Sequence, residues 1–113
     1  MSTLKNKVQL IGHVGQTPEL ATLDNGKKVV RFSLATNEFY RNSQGEKVQQ
    51  TNWHNLTAWG KTAEIISKYV TKGKEIAIEG KLNSRNYETE QGEKRYITDV
   101  IVNEVVMLGS KNQ

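Results

Sequence analysis

The stretch Thr51–Gly73, TNWHNLTAWGKTAEIISKYVTKG, changes its hydrophobic period once, and that change decides the fold. From Thr51 to Gly60 the pattern alternates. As a strand it sets Trp53, Asn55, Thr57 and Trp59 on one face and His54, Leu56 and Ala58 on the other. From Thr62 to Val70 the apolar residues Ala63, Ile65, Ile66, Tyr69 and Val70 follow helical spacing instead, and Gly73 ends the helix in the neighbourhood of its C′ position. A strand therefore runs directly into one short helix.

Period-two runs lie on both sides of this switch. Before it, Lys7–Gly15 puts Val8, Leu10 and Val14 on one face, and Val30, Phe32 and Leu34 alternate with Arg31, Ser33 and Ala35. Asp24-Asn25-Gly26 joins the latter run to a weak strand, Glu19–Leu23, and Asn-Gly is a favoured hairpin turn. After it, Ile76, Ile78 and Leu82 alternate with Ala77, Glu79 and Lys81, and Tyr96–Met107 forms a last long strand. Three strands, a helix and two strands is the order of an all-β, five-stranded Greek-key barrel of the OB-fold type, with its helix between strands 3 and 4. Other small barrels share most of that order. The expected organisation is a single domain over residues 1–108 and a short, polar, frayed tail over 109–113. Gln-Gly-Glu-Lys occurs at Gln44–Lys47 and again at Gln91–Lys94, each at the tip of a polar hairpin, which reads as one turn chemistry used twice.

The 113 residues include no Cys, two His and one Pro. There is thus no disulfide framework, no thiolate chemistry and no structural zinc site. The longest apolar run, Val105–Leu108, is too short to span a membrane or form a signal-peptide core, so the expected setting is cytoplasmic and beside the nucleoid. Counting Gly and leaving out Tyr, apolar residues make up about 40% of the chain, below the ~45–50% of an average domain. A thin core in a small domain leaves room for help from oligomerisation. Sixteen Lys and Arg against twelve Asp and Glu leave a net charge of +4, a mild indication of an anionic partner.

The placement of charge says more. Leu56 and Ala58 suit a core, so both Trp residues face outward, either to stack on a ligand or to be covered by a second layer or subunit. On the strand after the helix, Lys81, Asn83, Arg85 and Tyr87 share the parity opposite to Leu82, which is expected to face the core. Arg31 points outward on its strand, and Phe39, Tyr40 and Arg41 follow it. Aromatics interleaved with cations suit single-stranded nucleic acid, whose unpaired bases stack while Lys and Arg track the phosphates. No helix is long and basic enough to read a major groove. His13 and His54 stand without an acidic partner nearby in sequence, which favours structural roles. No nucleophile–base pair, phosphate-cradling Gly loop or tight carboxylate cluster occurs, so neither an enzyme nor a bound metal or cofactor is expected. Glu88, Glu90 and Glu93 cluster only at a solvated hairpin tip.

In order along residues 4–108 come Asn6-Lys7-Val8, Leu10-Ile11-Gly12, Phe32-Ser33-Leu34-Ala35-Thr36, Thr51 with Trp53-His54, Trp59-Gly60-Lys61, Ala63-Glu64, Tyr69-Val70, Lys72-Gly73, and Glu79-Gly80-Lys81-Leu82 with Arg85 and Tyr87. This ordered set resembles the bacterial single-stranded DNA-binding protein family. The resemblance implies an OB-fold homotetramer that binds and protects single-stranded DNA, without strong sequence preference, in replication, recombination and repair. Its base-stacking aromatics match Tyr40, Trp53, Trp59 and Tyr87. Its basic positions match Lys7, Arg31, Arg41, Lys61, Lys72 and Arg85 as phosphate contacts, to which the strand parity adds Lys81. His54 matches a position of subunit assembly.

Two departures stand out. Tyr40 and Tyr87 occupy positions where the family often carries Trp, which implies weaker stacking there. The family also continues into a Gly/Pro/Gln-rich linker and an acidic tail, whereas this sequence stops at Gln113, so it gives no support for replication and repair partners recruited through such a tail. A fragment of a longer protein, a naturally short paralogue, a dimeric assembly factor like primosomal replication protein N, and an RNA-binding OB module are the other readings.

Overall fold

Inward-facing residues of alternating strands close the sheet on itself. Val14, Val30, Phe32, Leu34, Leu56, Ala58, Ile76, Ile78, Val100 and Val102 are all buried and form one cluster with Ala63, Ile66 and Val70. The structure, a computed structural model, describes residues 4–108. After a single 3-10 turn at Leu4–Asn6 come β1 (Val8–Val14), β2 (Glu19–Thr22), β3 (Lys28–Arg41), β4 (Lys47–Trp59), α1 (Gly60–Tyr69), β5 (Glu75–Glu88) and β6 (Lys94–Met107). The strands hydrogen-bond in the order β1-β5-β6-β4-β3-β2, and a further β1–β3 pairing closes the ring. This is the expected five-stranded barrel, with the helix after the third barrel strand. The weak strand β2 hangs on β3 outside the ring and is exposed throughout.

Two short seams make the closure. β1 meets β3 at His13↔Ala35 and Val14↔Leu34, and β4 runs parallel to β6 at Leu56↔Val100 and Thr57↔Ile101. At the first seam Gly12 lies so close to the carbonyl of Ala35 that a Cβ would collide with it. At one end of the barrel, α1 inserts Ala63 and Ile66, both 0% exposed.

The remaining pairings are long antiparallel ribbons, β3–β4 from Val29↔Trp59 to Arg41↔Lys47 and β5–β6 from Ile76↔Met107 to Glu88↔Lys94. Their tips are built alike. The Asn42 N–H donates to the Glu46 carbonyl (3.0 Å) and the Gly45 N–H to the Asn42 carbonyl (3.0 Å), and Thr89, Glu93 and Gly92 repeat this at 2.8 and 2.9 Å. Gly45 and Gly92 take φ of +79° and +83°, the left-handed residue of a three-residue hairpin loop. The repeated tetrapeptide is thus turn chemistry. Leu23–Lys27 uses the same bonds, with Asn25 at negative φ.

Three local expectations are corrected. Gly73 is not the helix C′: the helix ends at Tyr69 with Val70 extended, and the Gly73 N–H donates to the Val14 carbonyl in the following turn. On α1 only Ala63 and Ile66 are buried, while Ile65 and Tyr69 lie on the open side of the helix. Leu82 keeps core parity but is 50% exposed, because it lies past the bulge at Glu79/Gly80, where β5 leaves the barrel and no second layer covers it. The expected tail, 109–113, lies outside the described residues. Among the described residues no helix is long and apolar enough to cross a membrane.

Replacing Gly12 with Ala forces the β1–β3 seam apart. Overpacking of this kind costs about 1–3 kcal/mol, which a urea denaturation series would register as a lower midpoint at unchanged slope.

Candidate nucleic-acid interface

Register and alternation bring the outward faces of the two ribbons side by side. On β3–β4, Arg31 lies opposite Thr57, Ser33 opposite Asn55, and Ala35 opposite Trp53. On β5–β6, Lys81, Asn83, Arg85 and Tyr87 lie opposite Ile101, Asp99, Ile97 and Arg95. The parallel contact Thr57↔Ile101 joins the ribbons. The result is an open groove lined by Arg31, Ser33, Asn55, Thr57, Trp59, Asn83, Arg85, Ile97, Asp99 and Ile101.

Large rings stand along this surface. Trp53 is 62% exposed and Trp59 39%, six residues apart on one face of β4. A side chain at Gly15 would collide with the Trp53 ring and the Ser33 hydroxyl, so the ring rests on bare backbone. Tyr87 is half exposed on the face that carries Arg85. Tyr40 is exposed too, but its register partner is Val48 and its parity is that of Leu34 and His54, so it lies on the back of the β3–β4 ribbon. Phe39 shares the face of Trp53, with the Lys47 ammonium 4.7 Å from its ring centroid.

The cations divide by position. Arg31 and Arg85 wall the groove, and Lys81 is exposed on the same face of β5. Lys61 lies past Trp59, in a cleft shared with Lys27, Lys28 and Glu64, where Lys28 pairs with Glu64 at 3.3 Å. Lys27 and Lys28 follow the Asp24-Asn25-Gly26 turn in sequence, and folding brings them beside Trp59. Lys7 pairs with Glu79 at 3.6 Å, an exposed contact worth at most about 1 kcal/mol that leaves it open to another anion. The Arg41 guanidinium donates to the Gly45 carbonyl at 2.9 Å, at the ribbon tip. Lys72 sits in the turn after α1, its N–H donating to the Thr17 hydroxyl, and does not line the groove.

Two polar residues on the groove floor were misjudged or missed in the sequence. Thr57 has the outward parity expected of it but is only 5% exposed, and its hydroxyl donates to Asp99 Oδ2 at 3.1 Å. Asp99, 6% exposed, also accepts from Asn83 Nδ2 at 3.4 Å and faces Arg85 Nη2 at 3.7 Å. The available signal was an acid between Ile97 and Ile101 on one strand face. His54 is half-buried on the other side of β4, where Nε2 and the Thr36 hydroxyl share a 3.0 Å hydrogen bond. Among the described residues no group of three His, Asp or Glu could hold a metal ion.

Residues 5–108 match the Single-strand binding protein family. The chain belongs to this family. It is 43% identical over 108 residues to Single-stranded DNA-binding protein 1 of Chlorobaculum tepidum, covering 95% of this chain and 67% of the relative. It is 42% identical to the Single-stranded DNA-binding protein of Neisseria meningitidis, covering 96% and 62%. The chain thus spans somewhat under two thirds to two thirds of the length of these relatives. Among solved structures, the Plasmodium falciparum SSB in complex with ssDNA superposes with a TM-score of 0.84 at 34% identity, over 92% of this chain and 95% of that one. A deletion mutant of the Thermus aquaticus single-stranded DNA binding protein shares the fold, at a TM-score of 0.82 and 23% identity, over 96% and 52%.

The family's barrel here carries Trp53 on a glycine seat, and that seat can be tested. Gly15→Ala displaces the ring, which should change the near-ultraviolet circular dichroism and tryptophan emission while the far-ultraviolet spectrum stays the same. Unchanged tryptophan signals would place the ring elsewhere.

Proposed function

We propose that this chain binds single-stranded DNA without sequence preference, protecting exposed strands during replication, recombination and repair. The observation that carries this reading is the groove walled by Arg31 and Arg85, with Trp59 in its lining and the exposed Trp53 farther along the same strand face. The two rings stand about 20 Å apart along extended backbone, so one strand of DNA can meet both. Bases stack on Trp53, Trp59 and Tyr87. Phosphates pair with Arg31, Lys61, Lys81 and Arg85, and with Lys7, Arg41 and Lys72 where the strand runs on beyond the groove. Tyr40 serves only a strand that wraps over the edge of its ribbon. Every base has a π-face, so stacking tolerates any sequence, and duplex DNA hides the faces it needs. No bond is made or broken. The relatives named for single-stranded DNA and the Plasmodium falciparum complex support the same ligand, and neither the primosomal nor the RNA reading is favoured. A protein of this kind works in the cytoplasm, at the nucleoid.

Tryptophan quenching on titration with oligo-dT tests the mechanism. With about six phosphates neutralised, log K falls against log salt with a slope near −4. Trp53→Ala and Trp59→Ala should each weaken binding by about 1–3 kcal/mol, roughly 5- to 150-fold, with the fold intact, and Tyr40→Ala by less. Affinity that does not vary with salt, or an alanine variant that unfolds, would remove this mechanism.

The assembly is expected to be a homotetramer. β1 is paired with β5 from Val8 to His13 but reaches β3 only at His13 and Val14, which leaves a stretch of edge open. Beside it Ile11, Ala77 and Val106 stand in register across three strands, with Ile11 60% and Val106 57% exposed. A second copy pairing on that edge and covering that row would add to a thin core. On this reading His54 lies at a contact between subunits. Sedimentation should give a tetramer, and Ile11→Glu combined with Val106→Glu a smaller species; a monomeric parent protein would contradict the assembly.

A further inference from the structure

Asp99 is an acid on the floor of a groove that, on the reading above, receives a polyanion. We propose that it is a specificity-determining residue: its carboxylate keeps phosphates off the floor, so that a strand lies with its bases inward and its backbone along the rim. The side chain is 7% exposed and held from two neighbouring strands. Thr57 on β4 donates to Oδ2 at 3.1 Å, Asn83 on β5 donates to Oδ1 at 3.4 Å, and the Arg85 guanidinium stands 3.7 Å away.

The lining divides accordingly. The floor offers Ile97 and Ile101 to the apolar faces of bases, and Thr57, Asn83 and Asp99 to their polar edges. The cations Arg31, Lys81 and Arg85 are all exposed, at the rim. A phosphate that sank to the floor would leave Arg31 and Lys81, find Arg85 already shared with Asp99 at 3.7 Å, and meet a fixed like charge, which at close range costs about 1 kcal/mol even at the dielectric of water. A base carries no net charge to be repelled, and each of the four bases has at least one N–H group for which the carboxylate is an acceptor. The acid therefore discriminates nucleic acid from a bare polyanion, and it also offsets part of the charge of Arg85.

The inference rests on the binding reading, and one experiment separates the two. Oligo-dT and an abasic oligonucleotide of the same length are titrated onto the full chain and onto Asp99→Asn, whose amide oxygen can still accept from Thr57. The parent protein should prefer oligo-dT. In the variant, affinity for the abasic strand should rise about fivefold at low salt, narrowing that preference, and its salt slope should steepen by about 0.7. An unchanged preference, or a loss of the same proportion for both ligands, overturns the proposal and marks the acid as purely structural. If Asp99→Asn does not fold, Arg85→Gln serves in its place. It leaves the acid unopposed, so the abasic strand should lose more affinity than oligo-dT; equal losses overturn the proposal. Failure of the parent protein to bind oligo-dT at all would instead remove the binding reading beneath it.

Discussion

β1 meets β3 at two residue pairs, and everything else in the molecule is arranged around that narrow seam. It closes because Gly12 has no side chain to hold the Ala35 carbonyl away, and because Val14 and Leu34, at the seam, are 2% and 0% exposed. Once the ring is closed, the inward parity of all five barrel strands is determined together, since a slip of one residue would turn a whole strand inside out. The outward parity follows from the same constraint. The groove is therefore a by-product of closure: Arg31, Thr57, Asp99 and Arg85 meet on one surface because Phe32, Leu56 and Val100 must meet on the other.

The groove in turn shows why a net charge of +4 is a poor summary of this protein. Lys7, Lys28 and Arg95 each stand within ion-pair distance of a Glu at the surface, whereas Arg85 faces a nearly buried Asp. What distinguishes the site is the pattern of charge, with cations on exposed positions and one acid beneath them. Aromatic rings complete it, and the Trp53 ring keeps its exposure because Gly15 offers it a flat seat rather than a pocket.

Much of this was legible in residue order. Alternation located Leu56 and Ala58 inside and Trp53 and Trp59 outside, and the change of period after Gly60 located the helix. Two of the failures share one cause. Leu82 has core parity yet is exposed, and Thr57 has surface parity yet is buried. Parity tells which side of a sheet a residue faces, but not whether anything lies there. Past the barrel nothing covers Leu82, whereas at the junction of β4 with β6 the groove walls enclose Thr57. Tyr40 illustrates the related limit: it shares the β3–β4 ribbon with Trp53, but lies on the other side of it.

The sequence by itself determined the local choices: strand or helix from the hydrophobic period, the hairpin turns from their glycines, and the inner or outer side of each strand from alternation. These depend on neighbours a few residues apart, so a linear pattern records them. Only the tertiary structure decided which outer faces adjoin, how Asp99 on the last strand comes to hold Thr57 and Arg85, and how Lys27 and Lys28 come to stand beside Trp59. Those contacts join residues 14 to 42 positions apart. They form only because burying the inner faces closes the barrel, and that closure brings distant strands to hydrogen-bonding distance.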